Sequence, residues 1–215
     1  MTPYYDRDGI VIYNARCEDV LPDIDPATVD LLLTDPPYGI NYRPGEGKQS
    51  PIAYDAVEGD QGTFDPRHLL KYERVVLWGA NNFTDHLPRG GWLWWDKRLL
   101  NGTKGSNSDG ELAWTNIITG IRGFRHLWFG AYRTSEIGFH VHPTQKPVAL
   151  MRWIVDRWTK PGDLVLDPYM GSGPVAQACA DLGRRYIGIE LVEDYCKVAV
   201  GRLAQQTLDL DGGAA

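Results

Sequence analysis

The stretch Asp163-Leu-Val-Leu-Asp167-Pro-Tyr-Met-Gly171-Ser-Gly173-Pro-Val-Ala176 predicts a strand, a glycine-rich turn and a helix. Gly171, Gly173 and Ala176 fit the pattern G-x-G-x-x-(G/A), in which glycines let the backbone approach a ligand at the start of a helix. The next predicted strand ends at Glu190, about the distance at which an acid holds a ribose in dinucleotide-binding folds. The stretch therefore predicts an α/β fold with a nucleoside-binding crevice.

The residues around these glycines narrow the type of cofactor. The pattern alone would fit a nicotinamide dinucleotide equally well, and a tight turn before a capped helix is the purely structural alternative. Only one strand–helix–strand–helix unit follows the glycines, however, whereas a dinucleotide needs two mononucleotide-binding halves. The carboxylate of Asp167 would repel phosphates but could accept from the α-ammonium of a methionyl group. Both features favour an adenosyl cofactor without a pyrophosphate.

A second motif, Asp35-Pro36-Pro37-Tyr38, follows the apolar run 29–34, which predicts a buried strand. Residues just past the carboxyl end of such a strand face the ligand crevice of an open α/β sheet. The two prolines fix their φ angles and lack N–H donors, so they form a stiff, extended corner. This corner can hold the Asp35 carboxylate and the Pro36 carbonyl beside an aromatic ring.

Such a corner suits a planar amino group, such as N6 of adenine or N4 of cytosine. Two fixed acceptors can hold both N–H donors and turn the nitrogen lone pair toward an electrophile, while the carboxylate favours the positive charge that develops. The ring of Tyr38 could stack on the base. A polar turn after a buried strand is the structural alternative.

The charge distribution is uneven along the chain. The formal net charge is −6, which is unusual for a nucleic-acid binder. Residues 89–146 nevertheless carry eight Lys or Arg against four Asp or Glu, together with five of the eight Trp. This segment could contact a polyanion, although a Trp-rich core with solvated charges at its ends would give the same composition.

The order of predicted elements favours one mostly parallel, doubly wound α/β sheet. Strands are predicted at 9–14, 29–34, 74–79, 91–97, 111–118, 123–132, 164–166 and 185–189, and helices at 18–21, 65–72, 81–87, 147–159, 174–182 and 192–206. Residues 1–208 are expected to form a single domain. Within it, 39–62 would be a mobile loop and 98–141 a small insert for target recognition, followed by a disordered tail at 209–215.

The three cysteines, Cys17, Cys179 and Cys196, are far apart and lack the spacing of metal ligands. We therefore expect no metal site and a reducing, cytoplasmic setting. No apolar run approaches the length of a membrane span, so no membrane partner is expected.

The two motifs together resemble the β class of amino-methylating DNA methyltransferases. In that class, the Asp-Pro-Pro-Tyr motif precedes an Asp-Pro-Phe-x-Gly-Ser-Gly motif that binds S-adenosyl-L-methionine (AdoMet). The segments His142–Pro147 and Arg184–Glu190 also match, and Trp95–Lys97 and Glu111–Trp114 resemble segments of compact, phage-type members. The resemblance covers residues 10–205. It implies a Rossmann-like, seven-stranded methyltransferase fold with a circularly permuted motif order.

The resemblance implies methyl transfer from AdoMet to N6 of adenine in double-stranded DNA, with the base extruded from the duplex. N4-cytosine is the alternative target, although members with that activity more often carry Ser at the first motif position. Glutamine-methylating enzymes share a Pro-Pro-Tyr corner but have the AdoMet motif first. A catalytically idle partner subunit is a further alternative, and a homodimer, the state of many relatives, is left open.

The resemblance also implies roles for individual residues. The catalytic residues would be Asp35, Pro36, Pro37 and Tyr38. The cofactor would be bound by Cys17, Asp35, Thr144, Lys146, Asp167, Pro168, Tyr169, Gly171, Ser172, Gly173 and Glu190. The residues expected to contact DNA are Arg43, Lys48, Lys97, Arg98, Lys104, Arg122, Arg125 and Arg133. Lys97 could instead form a strand-end ion pair with Asp96, and the arginines of 122–133 could belong to a solvated face.

Four residues depart from the pattern of the family. Ala15-Arg16-Cys17 stands where many members carry Gly-Asp-Cys, so one carboxylate contact to the cofactor adenine is missing. Tyr169 replaces Phe, and Pro174 replaces a common Thr.

Overall fold

The fold is described from a computed structural model of the chain. The residues that the structure describes are 1–39, 62–98, 108–129, 132–136 and 145–211. Among these residues, no helix is long and apolar enough to cross a membrane.

The described residues form one nine-stranded sheet, a two-stranded hairpin and four α-helices. The strands are β1 (Tyr5–Arg7), β2 (Ile10–Asn14), β3 (Leu31–Thr34), β4 (Val75–Trp78), β5 (Gly91–Asp96), β6 (Gly110–Thr115), β7 (Ile121–Arg125), β8 (Trp128–Phe129), β9 (Tyr132–Arg133), β10 (Leu164–Asp167) and β11 (Arg185–Glu190). The helices are α1 (Cys17–Val20), α2 (Val148–Trp158), α3 (Pro174–Leu182) and α4 (Glu193–Asp211).

The large sheet has the order β1-β2-β11-β10-β3-β4-β6-β5-β7. Strands β2, β11, β10, β3 and β4 are parallel, β6 is antiparallel to both of its neighbours, and β5 pairs in parallel with β7. Strands β5 and β7 therefore point the same way as β3 and β10. Their carboxyl ends lie at one edge of the sheet.

The ligand crevice lies where the winding of the sheet reverses. The strands β10 and β3 are neighbours at the centre of the sheet. The strand that follows β10, β11, lies on one side of this pair, and the strand that follows β3, β4, lies on the other. In open α/β sheets, ligands bind at such a switch point, outside the carboxyl ends of the strands. Because β3 and β10 are neighbours, the two sequence motifs that follow them must lie side by side.

The central strands are buried on both faces of the sheet. Strands β3, β4 and β10 have no exposed residue, as near-continuous apolar runs in parallel sheets require. Their side chains alternate between two cores. Leu31 and Leu33 pack in a core that also includes residues of α2, α3 and α4, whereas Leu32 packs on the opposite face with α1.

The sheet has nine strands rather than the seven implied by the resemblance. Seven inner strands are flanked by two edge strands, β1 and β7. No sequence pattern indicated β1, because its three residues are polar or half-buried and pair only with the antiparallel β2. The single strand predicted at 123–132 overlaps three strands, β7, β8 and β9.

The predicted helices at 65–72 and 81–87 are wrong. These segments form only single 3₁₀ turns at Pro66–His68, Ala80–Asn82 and Thr84–His86. The last two turns meet at Phe83, whose φ of −141° is incompatible with a continuous helix.

Other predicted boundaries also change. Pro147 is the N-cap of α2 rather than its first residue, and α4 continues to Asp211, three residues into the predicted tail. Strand β6 lies between β4 and β5, so the segment predicted as an insert at 98–141 contributes an inner strand to the sheet. The predicted loop at 39–62 lies outside the described residues except for its two ends.

The glycines at the two ends of α3 provide a matched test of packing against α4. Both have left-handed backbones, with φ of 76° at Gly173 and 69° at Gly183. A Cβ atom at Gly173 would lie 2.6 Å from the Cβ of Ala199 in α4, whereas one at Gly183 would meet nothing within 4 Å.

We expect Gly183→Ala to lower the free energy of unfolding by about 1 kcal/mol, because of backbone strain alone. Gly173→Ala should lower it by at least about 2 kcal/mol, because the clash with α4 is added to the same strain. Urea denaturation of both variants would measure the difference. Equal losses would contradict the close packing of the glycine turn against α4.

Candidate active site

A cavity of about 1190 Å³ opens at the carboxyl ends of β3, β4 and β10. One wall is formed by Asp35–Tyr38, and another by Asp167–Ser172 with Glu190. The volume exceeds that of a typical small-molecule site, so the cavity has room for a cofactor and part of a second substrate. The two motifs of the sequence thus share one cavity.

One hydrogen bond joins the two motifs directly. Thr34 Oγ1, at the end of β3, donates to Asp167 Oδ1 at 2.6 Å, across 133 residues of sequence. The same hydroxyl accepts from the backbone N–H of Tyr169 at 3.2 Å. The threonine that precedes the double-proline corner therefore also fixes the start of the glycine turn.

Asp167 forms this link and also lies in the wall of the cavity, while its role in binding the cofactor stays a prediction. We expected its carboxylate to accept from a methionyl ammonium. Its residue is only 2% exposed, however, and its oxygens accept from Thr34, from the Tyr169 N–H at 3.3 Å and from the Tyr186 hydroxyl at 3.3 Å. Burial raises the pKa of Asp167 to about 7, against the opposing effect of these hydrogen bonds.

Both carboxylate oxygens of Asp35 already accept hydrogen bonds. The Tyr38 hydroxyl donates to Oδ1 at 2.6 Å, and the Lys146 ammonium forms an ion pair with Oδ2. Burial raises the pKa of Asp35, and the neighbouring Lys146 opposes this shift. The side chain of Asp35 is 22% exposed, so a ligand in the cavity can still reach it.

Lys146 is a buried cation between two carboxylates. Its side chain is 4% exposed, and its Nζ lies 3.0 Å from Glu111 Oε2 in addition to its contact with Asp35. Burial alone would lower the pKa of Lys146, but these two carboxylates outweigh it and hold the pKa well above its usual value. The sequence placed Lys146 beside the cofactor. The structure places its ammonium on the carboxylate of Asp35.

Glu111 is the residue of this site that the sequence analysis missed. It forms ion pairs with both Lys146 and Lys97. Burial would raise the pKa of Glu111, but the two ammonium groups lower it to about 2. A strand was predicted at 111–118, but only its antiparallel pairing places its first residues at the edge where the neighbouring parallel strands end.

The position of Tyr38 depends on Gly79, the residue after β4. Gly79 has a left-handed φ of 67°, and a Cβ atom there would lie only 1.8 Å from the Tyr38 ring. The ring therefore packs directly on the backbone at Gly79. Only glycine leaves room for this contact.

A second carboxylate holds the segment that carries Lys146. Glu136 accepts from the Gln145 side chain at 3.0 Å and from the backbone N–H of Val148 at 3.0 Å. It also forms an ion pair with Arg202 of α4 at 2.8 Å. The side chain of Glu136 is 16% exposed, and that of Arg202 is 6% exposed. The residues on both sides of Lys146 are thus fixed to the C-terminal helix.

Comparisons with known proteins agree with this arrangement. A family model described as DNA methylase (N6_N4_Mtase) matches residues 91–201, just over half of the chain. The protein belongs to the AdoMet-dependent DNA amino-methyltransferases. It is 29% identical to YubD of Escherichia coli (strain K12), over 93% of this chain and 92% of that protein. It is 24% identical to the type II methyltransferase M2.LlaDCHI of Lactococcus lactis subsp. cremoris, over 94% and 91%, respectively.

Solved structures of other methyltransferases have the same fold. The complex of M1.HpyAVI with SAM superimposes with a TM-score of 0.55 and 26% identity, over 90% of this chain and 99% of that one. The cytosine-N4-specific PvuII DNA methyltransferase gives a TM-score of 0.64 over 93% and 88%, at 16% identity, which shows the fold alone. The α/β methyltransferase fold expected from the sequence is confirmed, and the methyl donor of this family is AdoMet.

The glycine turn of this methyltransferase fits such a cofactor. Gly171 and Gly173 have left-handed backbones, and the buried Ser172 hydroxyl has no hydrogen-bond partner among the described residues. The Glu190 carboxylate accepts from the backbone N–H groups of Gly171 and Val192, both at 2.8 Å, which fixes its orientation at the cavity wall. An unpaired hydroxyl and a fixed carboxylate suit the polar groups of a nucleoside with an amino-acid tail.

An aromatic pocket adjoins this turn. The Tyr169 hydroxyl accepts from the Cys17 thiol at 3.3 Å and lies 3.3 Å from His68 Nε2, and the Phe64 ring packs edge-on against Tyr169. Burial raises the pKa of Cys17 to about 11, so the thiol stays protonated and does not act as a nucleophile. The hydroxyl that distinguishes Tyr169 from the family's Phe is thus satisfied inside the protein.

The predicted DNA-contacting residues have different environments. Arg98 and Arg125 both pair with Asp96, at 3.1 and 2.9 Å, at the carboxyl ends of β5 and β7. These two arginines therefore lie on the same edge of the sheet as the cavity. Arg122 is exposed on β7, whereas the guanidinium of Arg133 stacks on Trp128 at 3.9 Å.

Other predicted contacts differ or remain predictions. The structure directs the ammonium of Lys97 to Glu111 inside the site, and its side chain is only 16% exposed, so it is poorly placed for a phosphate. Arg43, Lys48 and Lys104, and the predicted cofactor ligand Thr144, lie outside the described residues.

Replacement of Asp167 should change how stability depends on pH. The folded protein keeps the Asp167 proton up to about pH 7, whereas the unfolded chain loses it near pH 3.8. The unfolded state then binds fewer protons, so this residue makes the free energy of unfolding fall as the pH rises from about 4 to 7. The full effect is roughly 4 kcal/mol, at about 1.4 kcal/mol for each pKa unit.

Asp167→Asn keeps the shape and an acceptor oxygen but cannot ionise. We expect its free energy of unfolding to fall less than that of the wild type across this pH range, as measured by urea denaturation at several pH values. Asp194→Asn, at a side chain that is 83% exposed, serves as the control and should follow the wild type. Parallel pH curves for all three proteins would contradict the account of Asp167.

Proposed function

We propose that this methyltransferase modifies the N6 amino group of adenine in double-stranded DNA, at the corner formed by Asp35–Tyr38. The observation that supports this proposal is the Asp35 carboxylate, partly exposed in the cavity that also contains the glycine turn. Asp at the first position of the motif favours adenine, since N4-cytosine members more often carry Ser there. We further propose that residues 1–208 act as one catalytic domain. This domain would work either as a monomer or as a homodimer.

The corner would act on the amino group through two acceptors. The Asp35 carboxylate and the Pro36 carbonyl would accept its two N–H groups, which directs the nitrogen lone pair out of the base plane. When bound, AdoMet supplies an electrophilic methyl group. As the nitrogen becomes positively charged, the carboxylate stabilises that charge, and its raised pKa suits it to receive the proton that the amino group then loses.

The DNA would lie across the carboxyl edge of the sheet. Arg98 and Arg125 are held there by Asp96, so their guanidinium groups are oriented at little cost in conformational entropy. The target adenine would leave the duplex to enter the cavity, because its amino group is not accessible to Asp35 inside the stack. Tyr38 would then contact the face of the base, with Gly79 behind its ring.

The proposal is tested by identifying the methylated product. The protein is incubated with labelled AdoMet and unmethylated genomic DNA, and the DNA is digested to nucleosides. We expect label in N6-methyladenine. Label only in N4-methylcytosine would overturn the choice of adenine, and label in protein instead of DNA would overturn the choice of DNA.

Two substitutions of Asp35 test its role in the reaction. We expect Asp35→Ala to lower the rate of methyl transfer by at least about 100-fold, because the charge that stabilises the transition state is lost. Asp35→Asn keeps the size of the side chain without its charge and should be slowed to a similar degree. Both variants should fold, because Glu111 remains as a partner for the buried Lys146.

The affinity for AdoMet, measured by calorimetry, should stay within about threefold of the wild type, since the cofactor is bound mainly by the glycine turn and Glu190. A variant that methylates DNA at the wild-type rate would refute the role given to Asp35.

A further inference from the structure

The catalytic carboxylate belongs to a chain of four charged side chains. In order of contact, these are Asp35, Lys146, Glu111 and Lys97. The two positive and two negative charges cancel. The four residues come from four separate segments of the chain, and the proposed reaction uses only Asp35.

This chain of charges creates a conflict at Asp35. Its two oxygens already accept from Tyr38 and Lys146, so the amino group of a base has to share this carboxylate with an ammonium, whose charge opposes the positive charge that develops on the nitrogen. A neutral amino group cannot displace a buried ammonium unless that ammonium has another anionic partner, because an unpaired buried charge is costly. The Lys146 charge can therefore move away from Asp35 only if a second anion receives it.

Glu111 offers that place. Its Oε2 lies 3.0 Å from Lys146 Nζ while Lys146 still contacts Asp35, so a small movement of the ammonium is enough to change partners. The position of Glu111 is fixed by the sheet, since it is paired with Trp95 of β5 in the strand register. Its Oε1 is held by Lys97, which leaves Oε2 directed to Lys146.

We propose that Glu111 is a positioning residue that takes over the ammonium of Lys146 when the amino group of the target base binds to Asp35. Lys146 thus neutralises Asp35 between reaction cycles and withdraws to Glu111 during them. Lys97 keeps Glu111 oriented and ionised. This inference rests on the proposed function, because it assumes that Asp35 accepts the amino group.

The inference predicts the effect of removing the charge of Glu111. In Glu111→Gln, Lys146 would have Asp35 as its only anionic partner of the four and would remain bound to it. We expect turnover on unmethylated genomic DNA to fall about tenfold or more, while the affinity for AdoMet, measured by calorimetry, is unchanged. Glu193→Gln, at an exposed position on α4, is the control and should behave as the wild type.

The pH dependence separates positioning from a purely structural role. Asp35 faces the charged or titratable groups of Tyr38, Lys146 and Glu111, and it lies near enough to Asp167 to affect its pKa. The negative charge of Glu111 raises the pKa of Asp35. When turnover is plotted against pH, the acidic limb of this rate profile should therefore lie at lower pH in Glu111→Gln than in the wild type. A purely structural defect would lower the profile without moving this limb.

Two further variants exclude simpler explanations. The double variant Glu111→Gln with Lys97→Met restores the balance of charge but provides no partner for Lys146, and we expect it to remain slow. Glu111→Asp keeps the charge on a shorter side chain, so it should recover part of the rate and the acidic limb of the wild type. Thermal melting of each variant checks that it is folded. If Glu111→Gln does not fold, the comparison of Glu111→Asp with the wild type decides the question.

The outcomes distinguish this inference from the function on which it rests. If the wild type methylates DNA and Glu111→Gln is equally active, or if the double variant recovers the wild-type rate, the role of Glu111 is refuted while the proposed function stands. If the wild type does not methylate DNA, both fall together. A slow Glu111→Gln with a shifted acidic limb and partial rescue by Glu111→Asp supports the inference.

Discussion

The active site depends on the hydrogen bond between Thr34 and Asp167. Parallel pairing fixes the direction of β3 and β10, but it does not by itself fix the loops that follow them. The Thr34 hydroxyl donates to the carboxylate and accepts from the Tyr169 N–H, so it provides partners for two polar groups of the segment that leads into the glycine turn. Without it, a buried carboxylate would lose a donor, which costs about 1–3 kcal/mol. The double-proline corner and the glycine turn are thereby held as one unit.

Features that depend on local sequence could be predicted. The apolar runs of β3, β4 and β10, the glycine turn and the helix α3 were expected at nearly the observed positions. Each of these segments is defined by burial on both faces or by backbone requirements of its own residues. The proximity of the two motifs also followed from the rule that ligands bind at the carboxyl ends of parallel strands.

Features that depend on contacts across the sheet could not be predicted. Lys146 lies at least 35 residues along the chain from both of its partners, Asp35 and Glu111. Lys97 is closer in sequence to Glu111, but no pattern around any of these residues identifies its partner. The edge strand β1 exists only because β2 offers it a partner. The burial of Asp167 was missed because the same carboxylate could equally have faced a ligand.

The pairing of Glu136 with Arg202 has a consequence for protein engineering. The helix α4 follows all the recognised motifs and could be mistaken for a dispensable appendage. Arg202 is buried against the carboxylate that accepts from Gln145 and Val148, on either side of Lys146. A chain cut before this arginine would leave that carboxylate without its cationic partner from α4. Minimal versions of the enzyme, and fusions at its C-terminal end, should therefore preserve α4 through at least this turn.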